Sequence, residues 1–340
     1  MIKIAIVILN WNGRKFLEKF LPSVLSNSNS EGYVVYIADN GSTDDSVQWL
    51  KQNLPQVKLI LLDKNYGFAL GYSKALQQIN SEYFVLLNSD VEVTPHWLSP
   101  VIKLMDDDRN IAACMPKIRS FQNKELFEYA GAAGGFIDKY GYPFCRGRML
   151  NIIEKDNGQY NDVHEIFWAS GACMFLRSSA YFEAGGLDAD FFAHMEEIDL
   201  CWRMKRLGYK IVYSPDVTIY HVGGGTLPNN TPPKIYLNYR NNLYLLFKNL
   251  PSEKFIRIIF VRLLLDGISS MLYIMQGKFS FFWAVMRAHY TFYTHINELN
   301  IKRKKFRKQE KTNKINEIYP KGLLTRFFIK KIKYFHQLNF

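Results

Sequence analysis

The first ninety residues alternate short apolar runs with amphipathic stretches, and this alternation limits the fold more than any other feature of the chain. Residues 2–9 form an apolar run broken only by Lys3. Arg14 to Leu25 carries Phe16, Leu17, Phe20, Leu21, Val24 and Leu25 at helical spacing. Runs at 33–38, 57–62 and 83–88 read as further strands. Helices are expected from Thr43 or Asp44 to Gln52 and from Gly67 to Ile79. The order β-α-β-α-β-α-β predicts an open α/β fold, with a mainly parallel sheet and helices on both faces. Right-handed crossovers would bring the carboxyl ends of the strands to one edge.

Beyond residue 110 the pattern is less regular. Strands are expected near 111–116, 169–177, 210–213 and 217–220, with short helices at 178–184 and 196–207. A loop is expected at 131–135 and a mobile stretch near 151–161. Gly223-Gly224-Gly225 and Pro232-Pro233 mark a junction. The reading is a catalytic domain over 1–232, a helical region over 233–300 and a basic tail over 301–340.

Composition narrows the class. A chain of 340 residues, 48% hydrophobic, buries a full core. Cys114, Cys145, Cys173 and Cys201 form no CxxC pair, which fits a reduced, cytoplasmic setting without a disulfide framework. The first apolar run is too short to span a bilayer and reads as a core strand rather than a signal. Residues 301–340 hold thirteen Lys/Arg against two Asp/Glu, whereas the other 300 hold thirty against twenty-nine. The basicity therefore belongs to the tail and suits an anionic surface. Segment 255–275 is apolar but contains Arg257, Arg262 and Asp266, and each charge costs about 2.5–3.5 kcal/mol at mid-bilayer. With the aromatic segment 279–293 it reads as an interfacial helix pair. A spanning helix and a soluble packing subdomain are the alternatives. No nucleic-acid fold signature accompanies the basic tail.

Acids stand where two of the strands end. Asp39 opens Asp39-Asn40-Gly41-Ser42-Thr43-Asp44, and Asp90 closes Asn88-Ser89-Asp90. Open α/β sheets bind ligands at such strand ends. A carboxylate at Asp39 can accept the imide N–H of uracil or thymine. Asp90, with phosphate oxygens, suits Mg²⁺ or Mn²⁺. Asn88 brings no charge and would orient ribose or lie behind the ligands. A third cluster, Glu196-Glu197-Ile198-Asp199, opens a helix and offers a general base. Trp168, Gly171 and Ala172 lie upstream, with small residues and one aromatic face for a sugar. His221 stands beside the glycine junction as a metal or phosphate contact.

In order and spacing these segments resemble the inverting GT-A glycosyltransferases of family 2. The resembling segments are Ile6 to Gly13, Asp39 to Asp44, Asn65 to Ala69, Leu86 to Asp90, Gly185 to Asp188 and Glu196 to Arg203. The resemblance is nearest to bacterial rhamnosyltransferases of polysaccharide synthesis, and it implies a GT-A, Rossmann-like fold. It also implies that Leu9, Asn10, Trp11 and Asp39 hold base and ribose, that Asn65, Gly67, Asn88 and Ser89 lie near the nucleotide, and that Asp90 binds the metal. The family shows Glu-Asp where this chain has Glu196-Glu197, which leaves Glu197, Glu196 and Asp199 open as the base. Processive relatives carry Gln-x-x-Arg-Trp after that acid, and no Gln occurs between residues 160 and 275. The expectation is a metal-dependent, non-processive transfer from a dTDP- or UDP-sugar, such as dTDP-rhamnose, to a lipid-linked glycan. The enzyme would be peripheral on the inner face of the cell membrane. A catalytically inactive sugar-nucleotide or glycan binder is the alternative.

Overall fold

The structure is a computed structural model that describes residues 2–223, 231–312 and 314–340. It opens with β1 (Ile2–Asn10), α1 (Arg14–Ser26), β2 (Tyr33–Asn40), α2 (Ser46–Asn53), β3 (Lys58–Leu62), α3 (Gly67–Leu76) and β4 (Ser81–Leu87). β1 pairs in parallel with β2 and β4, and β2 pairs in parallel with β3. Ile4 to Ile8, Ile37, Ala38 and Phe84 to Leu87 are buried on both faces, as central parallel strands require. The register sets Asn10 beside Asp39 and Ile8 beside Leu87. The chain thus leaves three neighbouring strands at Asn10, Asp39 and Asn88.

Next come β5 (Val91–Val93), α4 (Ser99–Asp107) and β6 (Ile111–Ser120). A small second sheet is begun by β7 (Gly135–Asp138), β8 (Pro143–Cys145), β9 (Arg148–Met149) and β10 (Ile152–Ile153). β11 (His164–Glu165), β12 (Cys173–Arg177), α5 (Ser178–Glu183), α6 (Glu196–Arg206) and β13 (Lys210–His221) complete the α/β body. The large sheet has nine strands. Past β4 it is mixed: β12 runs antiparallel between β4 and β6, and β13 is parallel to β6.

Local differences from the sequence reading have physical causes. The two strands expected at 210–213 and 217–220 are one strand with a register shift between Ser214 and Thr218. Pro215, which has no N–H to donate, sits in that irregularity. The stretch at 151–161 is pinned rather than mobile. Lys117 Nζ lies 3.0 Å from Asp156 and 2.5 Å from Asn161, and the Tyr160 ring is buried.

Four helices follow: α7 (Pro232–Asn249), α8 (Ser252–Met275), α9 (Phe279–Thr294) and α10 (Ile296–Arg307), with a last strand β14 (Ile318–Tyr319). Gly224 and Gly225 of the expected junction lie outside the described residues. α7 packs on α6, α9 and α10, so the helical region is built onto the α/β body. Residues 301–340, read from composition as a tail, are docked. Lys302 pairs with Asp188 at 2.6 Å and Asp190 at 2.5 Å, and Arg303 donates to the carbonyls of Phe247 and Leu250. β14 pairs with β7, and the Phe335 and Phe340 rings lie 5.1 and 5.0 Å from that of Phe136. Lys302, Arg303, Arg307 and Lys311 are thus held by carboxylates and carbonyls, while Lys304, Lys305, Lys308, Lys314, Lys321, Lys330 and Lys331 remain exposed.

α8 is turned inside out relative to a helix of a soluble core. Arg262 and Asp266, 3.0 Å apart, face the body. Arg262 also stacks 4.0 Å over Tyr142, and His289 of α9 lies 3.3 Å from Asp266. Of the three charges that weighed against burial in lipid, two are thus hidden in protein. The outer surface carries Ile256 (79% exposed), Phe260, Leu264, Ile268 and Met275, joined by Trp283 of α9 (66% exposed).

Candidate active site

The edge where β1, β2 and β4 end is cross-braced. Asp39 is buried, and its Oδ2 accepts from Asn10 Nδ2 at 3.0 Å while Oδ1 accepts from Ser42 N at 2.9 Å. Asn12 Oδ1 accepts from Thr43 N at 2.7 Å, which ties the turn after β1 to the turn after β2. Asn10 Oδ1 is buried with no partner, an acceptor left open at the strand ends. Leu9 is half-buried, and Trp11 is 44% exposed beside it. Gly13 approaches so closely that a Cβ there would stand 2.4 Å from Asn10 Oδ1, with Ser89 Oγ next to it.

Asn40, which sequence reasoning passed over, joins this edge to α3. Its Nδ2 donates to Asn65 Oδ1 and Gly67 O, both at 3.0 Å, and its Oδ1 accepts from Tyr66 N at 3.0 Å. Gly67 has φ +73°, and an added Cβ would lie 2.5 Å from the Phe192 ring. Its small size therefore makes room for the segment leading into α6.

Asp90 and His221 form the second corner. β5 pairs antiparallel with the end of β13, setting Val91 opposite His221. His221 Nε2 lies 3.1 Å from Asp90 Oδ1 and 3.3 Å from Asn88 Nδ2. Its Nδ1 faces Glu128 Oε2 at 3.4 Å, an ion-pair contact rather than a well-formed hydrogen bond. Burial opposes the imidazolium, but Asp90 and Glu128 outweigh it and raise His221 to about 10. Among the described residues no three acidic, His or Cys side chains converge as a complete cation cage. Glu128 meets the far nitrogen of the ring and so cannot share an ion bound at Nε2. Asp90 and His221 would fit a divalent ion, Asp90 through its carboxylate and His221 through Nε2 once that nitrogen has given up its proton. Phosphate oxygens and water would fill the remaining positions.

The third corner is the start of α6. The bend before it holds Phe192 at φ 61°, His194 at 71° and Met195 at 73°, none of them glycine. Each such residue costs about 1–3 kcal/mol and persists only where its surroundings hold it. Phe192 O accepts from Phe68 N at 2.7 Å and Ala69 N at 3.1 Å, which seats the bend on α3. The three acids that follow differ sharply. Asp199 is fully buried. Its Oδ2 accepts from Lys248 Nζ and Arg203 Nε, both at 2.9 Å, and its Oδ1 accepts from Asn249 at 2.8 Å. Burial would raise it, but Lys248 and Arg203 prevail and its pKa is lowered. Such a carboxylate is committed to the fold, which removes Asp199 from the candidate bases. Glu196 is buried with Oε2 unpartnered, and burial, then the Glu197 charge, raise its pKa well above the usual range. Glu197 is half-buried with Oε2 unpartnered. Burial pushes it up to about 7, against backbone N–H groups that pull it down.

The expected sugar platform needs one correction. Trp168 is buried, donates its Nε1–H to Phe136 O at 2.9 Å and lies flat on Gly135, where a Cβ would meet it at 2.1 Å. Both its ring face and its polar handle are used by the core. Gly171 borders Phe68, and Ala172 O accepts from Asn88 N at 3.0 Å. Those two residues brace the strand edge.

A 3-2-1-4 parallel half with acids at its strand ends, closed by an acidic helix start on a mixed extension, defines a GT-A glycosyltransferase. The family model described as Glycosyl transferase family 2 matches residues 5–182, and the chain belongs to that family. It is 25% identical over 234 residues to N-acetylglucosaminyl-diphospho-decaprenol L-rhamnosyltransferase of Mycobacterium tuberculosis, covering 64% of this chain and 75% of that protein. It is 25% identical over 227 residues to rhamnosyltransferase WbbL of Escherichia coli K12, covering 64% and 83%. Among solved structures, GalNAc-T7 with UDP, GalNAc and Mn²⁺ superposes with TM-score 0.58 at 17% identity, over 72% of this chain and 48% of that one. Staphylococcus aureus TarS 1–349 with UDP gives 0.52 at 14% identity, over 93% and 95%. These likenesses in structure speak for the fold.

Proposed function

We propose that this chain transfers one sugar, with inversion, from a nucleotide diphosphate sugar to a hydroxyl of a lipid-linked glycan in cell-surface polysaccharide synthesis. The observation that carries the reading is Glu197: a carboxylate held near neutrality, with a free oxygen, beside the ligand-binding edge of the sheet. A general base works best when its pKa lies near the working pH. Glu197 takes the proton from the acceptor hydroxyl as that oxygen bonds the anomeric carbon. The bond from that carbon to the diphosphate breaks on the opposite face, and its electron pair leaves with the phosphate. Asp39 and the open Asn10 Oδ1 are placed to accept N–H groups of a pyrimidine base. Leu9 and Trp11 flank it, with Asn65, Asn88 and Ser89 nearby. Asp90 and His221 would hold Mg²⁺ or Mn²⁺, which supplies positive charge to the departing diphosphate. Glu196, kept neutral, leaves the single negative charge of the pair to Glu197.

The names of the relatives favour transfer of rhamnose and a diphospho-lipid acceptor, and we take the donor to be a dTDP- or UDP-sugar, dTDP-rhamnose foremost. The outward apolar face of α8 and α9 favours attachment to the inner face of the cell membrane, where such an acceptor is anchored. Cations Lys254, Arg257, Lys278 and Arg287 are exposed on the same two helices and their ends. Apolar surface flanked by cations is the pattern of an interfacial helix. The test is thermal stabilisation by a panel of nucleotide sugars with and without Mn²⁺, followed by transfer to N-acetylglucosaminyl-diphospho-undecaprenol and assignment of the product anomer. A donor at a hundred times its Kd adds about 2.7 kcal/mol of stability. A panel in which no nucleotide sugar raises Tm, or a product with retained configuration, refutes the reading.

A further inference from the structure

We infer that Asn241 of α7 is a positioning residue for the acidic pair: its side-chain amide locks the strained bend that delivers Glu196 and Glu197. The inference deepens the glycosyl-transfer reading and rests on it.

The bend at 190–195 turns its carbonyls out of any regular ladder, and each needs a donor. Asn241 is fully buried. Its Nδ2 reaches Phe191 O at 2.9 Å, Ala193 O at 2.8 Å and His194 O at 2.7 Å. Arg240 fixes the amide, donating to Asn241 Oδ1 from Nε at 2.9 Å and from Nη2 at 2.7 Å. The same Nη2 reaches Asp190 O and Phe191 O, both at 2.9 Å. Phe192 O is taken by α3, and Met195 O accepts from Asp199 N at 2.9 Å as the first bond of α6. Every carbonyl from 190 to 195 is thus occupied, two of them, those of Ala193 and His194, through the Asn241 amide.

Neither an acid nor an apolar side chain at position 241 does this. An aspartate keeps the shape but offers no N–H, and it sets a negative charge against three carbonyl oxygens. An apolar residue leaves the Ala193 and His194 oxygens without a donor, while Phe191 O keeps Arg240 and the Ala193 N–H. The three left-handed residues would then relax, and Glu196 and Glu197 would move with them. A base displaced by about 1 Å loses roughly 10²-fold in rate. The lock also comes from α7, the helix on which α9 packs, and so belongs to the region that carries the outward apolar face.

The experiment compares wild type with N241D and N241A. Hydrogen exchange is followed in peptides covering 66–70 and 190–199. Transfer is followed with dTDP-rhamnose, Mn²⁺ and N-acetylglucosaminyl-diphospho-undecaprenol. The expected result is faster exchange confined to those two segments in both variants, with protection of β1, β2 and β4 unchanged. Alongside it, kcat falls about 10–100-fold, and KM for the donor stays within about twofold of wild type. Unchanged exchange at 190–199, or a rise spread evenly over the central sheet, overturns the inference. So does an N241D enzyme with wild-type kcat. A wild type that transfers nothing from these probes refutes the donor and acceptor reading, while the exchange measurement still decides the lock.

Discussion

Lys248 Nζ lies 2.9 Å from Asp199 Oδ2, and the same ammonium stands 2.6 Å from Asp188 Oδ2, with the Lys248 and Asp199 side chains fully shielded from water. An acid at the start of α6 is thereby neutralised by a lysine 49 residues further along the chain. Removing one partner of such a pair leaves an uncompensated buried charge.

Lys248→Ala is therefore expected to cost about 3–5 kcal/mol of stability. Asp188 and Asp199 both have lowered pKa values, from burial outweighed by lysine and arginine partners. Their contribution is fully present above the unfolded carboxylate value of about 3.9 and fades as pH falls through the folded values. Urea titrations of wild type and Lys248→Ala at pH 7 and pH 3 check both points. The gap between the two proteins narrows at pH 3.

Glu197→Gln should lower transfer by about 10²–10⁴-fold and leave donor binding intact. Its linkage runs opposite to that of Asp199. The folded pKa, about 7, exceeds the unfolded value of about 4.3, so the native state binds the extra proton. Stability from this group is present below about 4.3 and is lost as pH rises toward 7. Glu197→Gln is thus expected to melt higher than wild type at pH 8 while being catalytically poor. An enzyme both active and unchanged in Tm refutes the base assignment.

Asp90→Ala removes the carboxylate that faces His221 Nε2 at 3.1 Å. The expected outcome is loss of the Mn²⁺-dependent part of nucleotide binding, read by calorimetry with and without the ion. Affinity that still rises on adding Mn²⁺ counts against Asp90 as a ligand.

Phe260→Ser with Trp283→Ser replaces two outward rings that are largely exposed. Flotation with anionic liposomes should fall several-fold while Tm in solution stays within a few degrees. Arg262→Ala should instead destabilise the fold, since it strips Asp266 and Tyr142 of their partner.

The half of the fold legible in the sequence is the half made of local signals. β1 to β4 and their helices each announce themselves by periodicity, and Asp39 and Asp90 follow from where strands end. The features that escaped depend on distant partners. Nothing near Asp199 foretells Lys248, and nothing near His221 foretells Glu128. Trp168 looked like a rim aromatic because sequence does not reveal that Gly135 lies beneath its ring. Asn241 and Asn242 left a faint trace, two amides amid the leucines of α7, which is the mark of polar groups with buried work. The docking of β14 and the C-terminal rings onto the small sheet was not foreseen, because a charge count carries no address for the partners of a segment.

β14 places Ile318 beside Ile137, 181 positions apart in the chain. A nascent chain therefore exposes the aromatic underside of the small sheet, Phe136 and Phe144 included, until residues 318–340 have left the ribosome. Closing so long a loop is entropically slow. The small sheet thus stays uncapped until the last part of synthesis, which makes it the latest element of the fold to close.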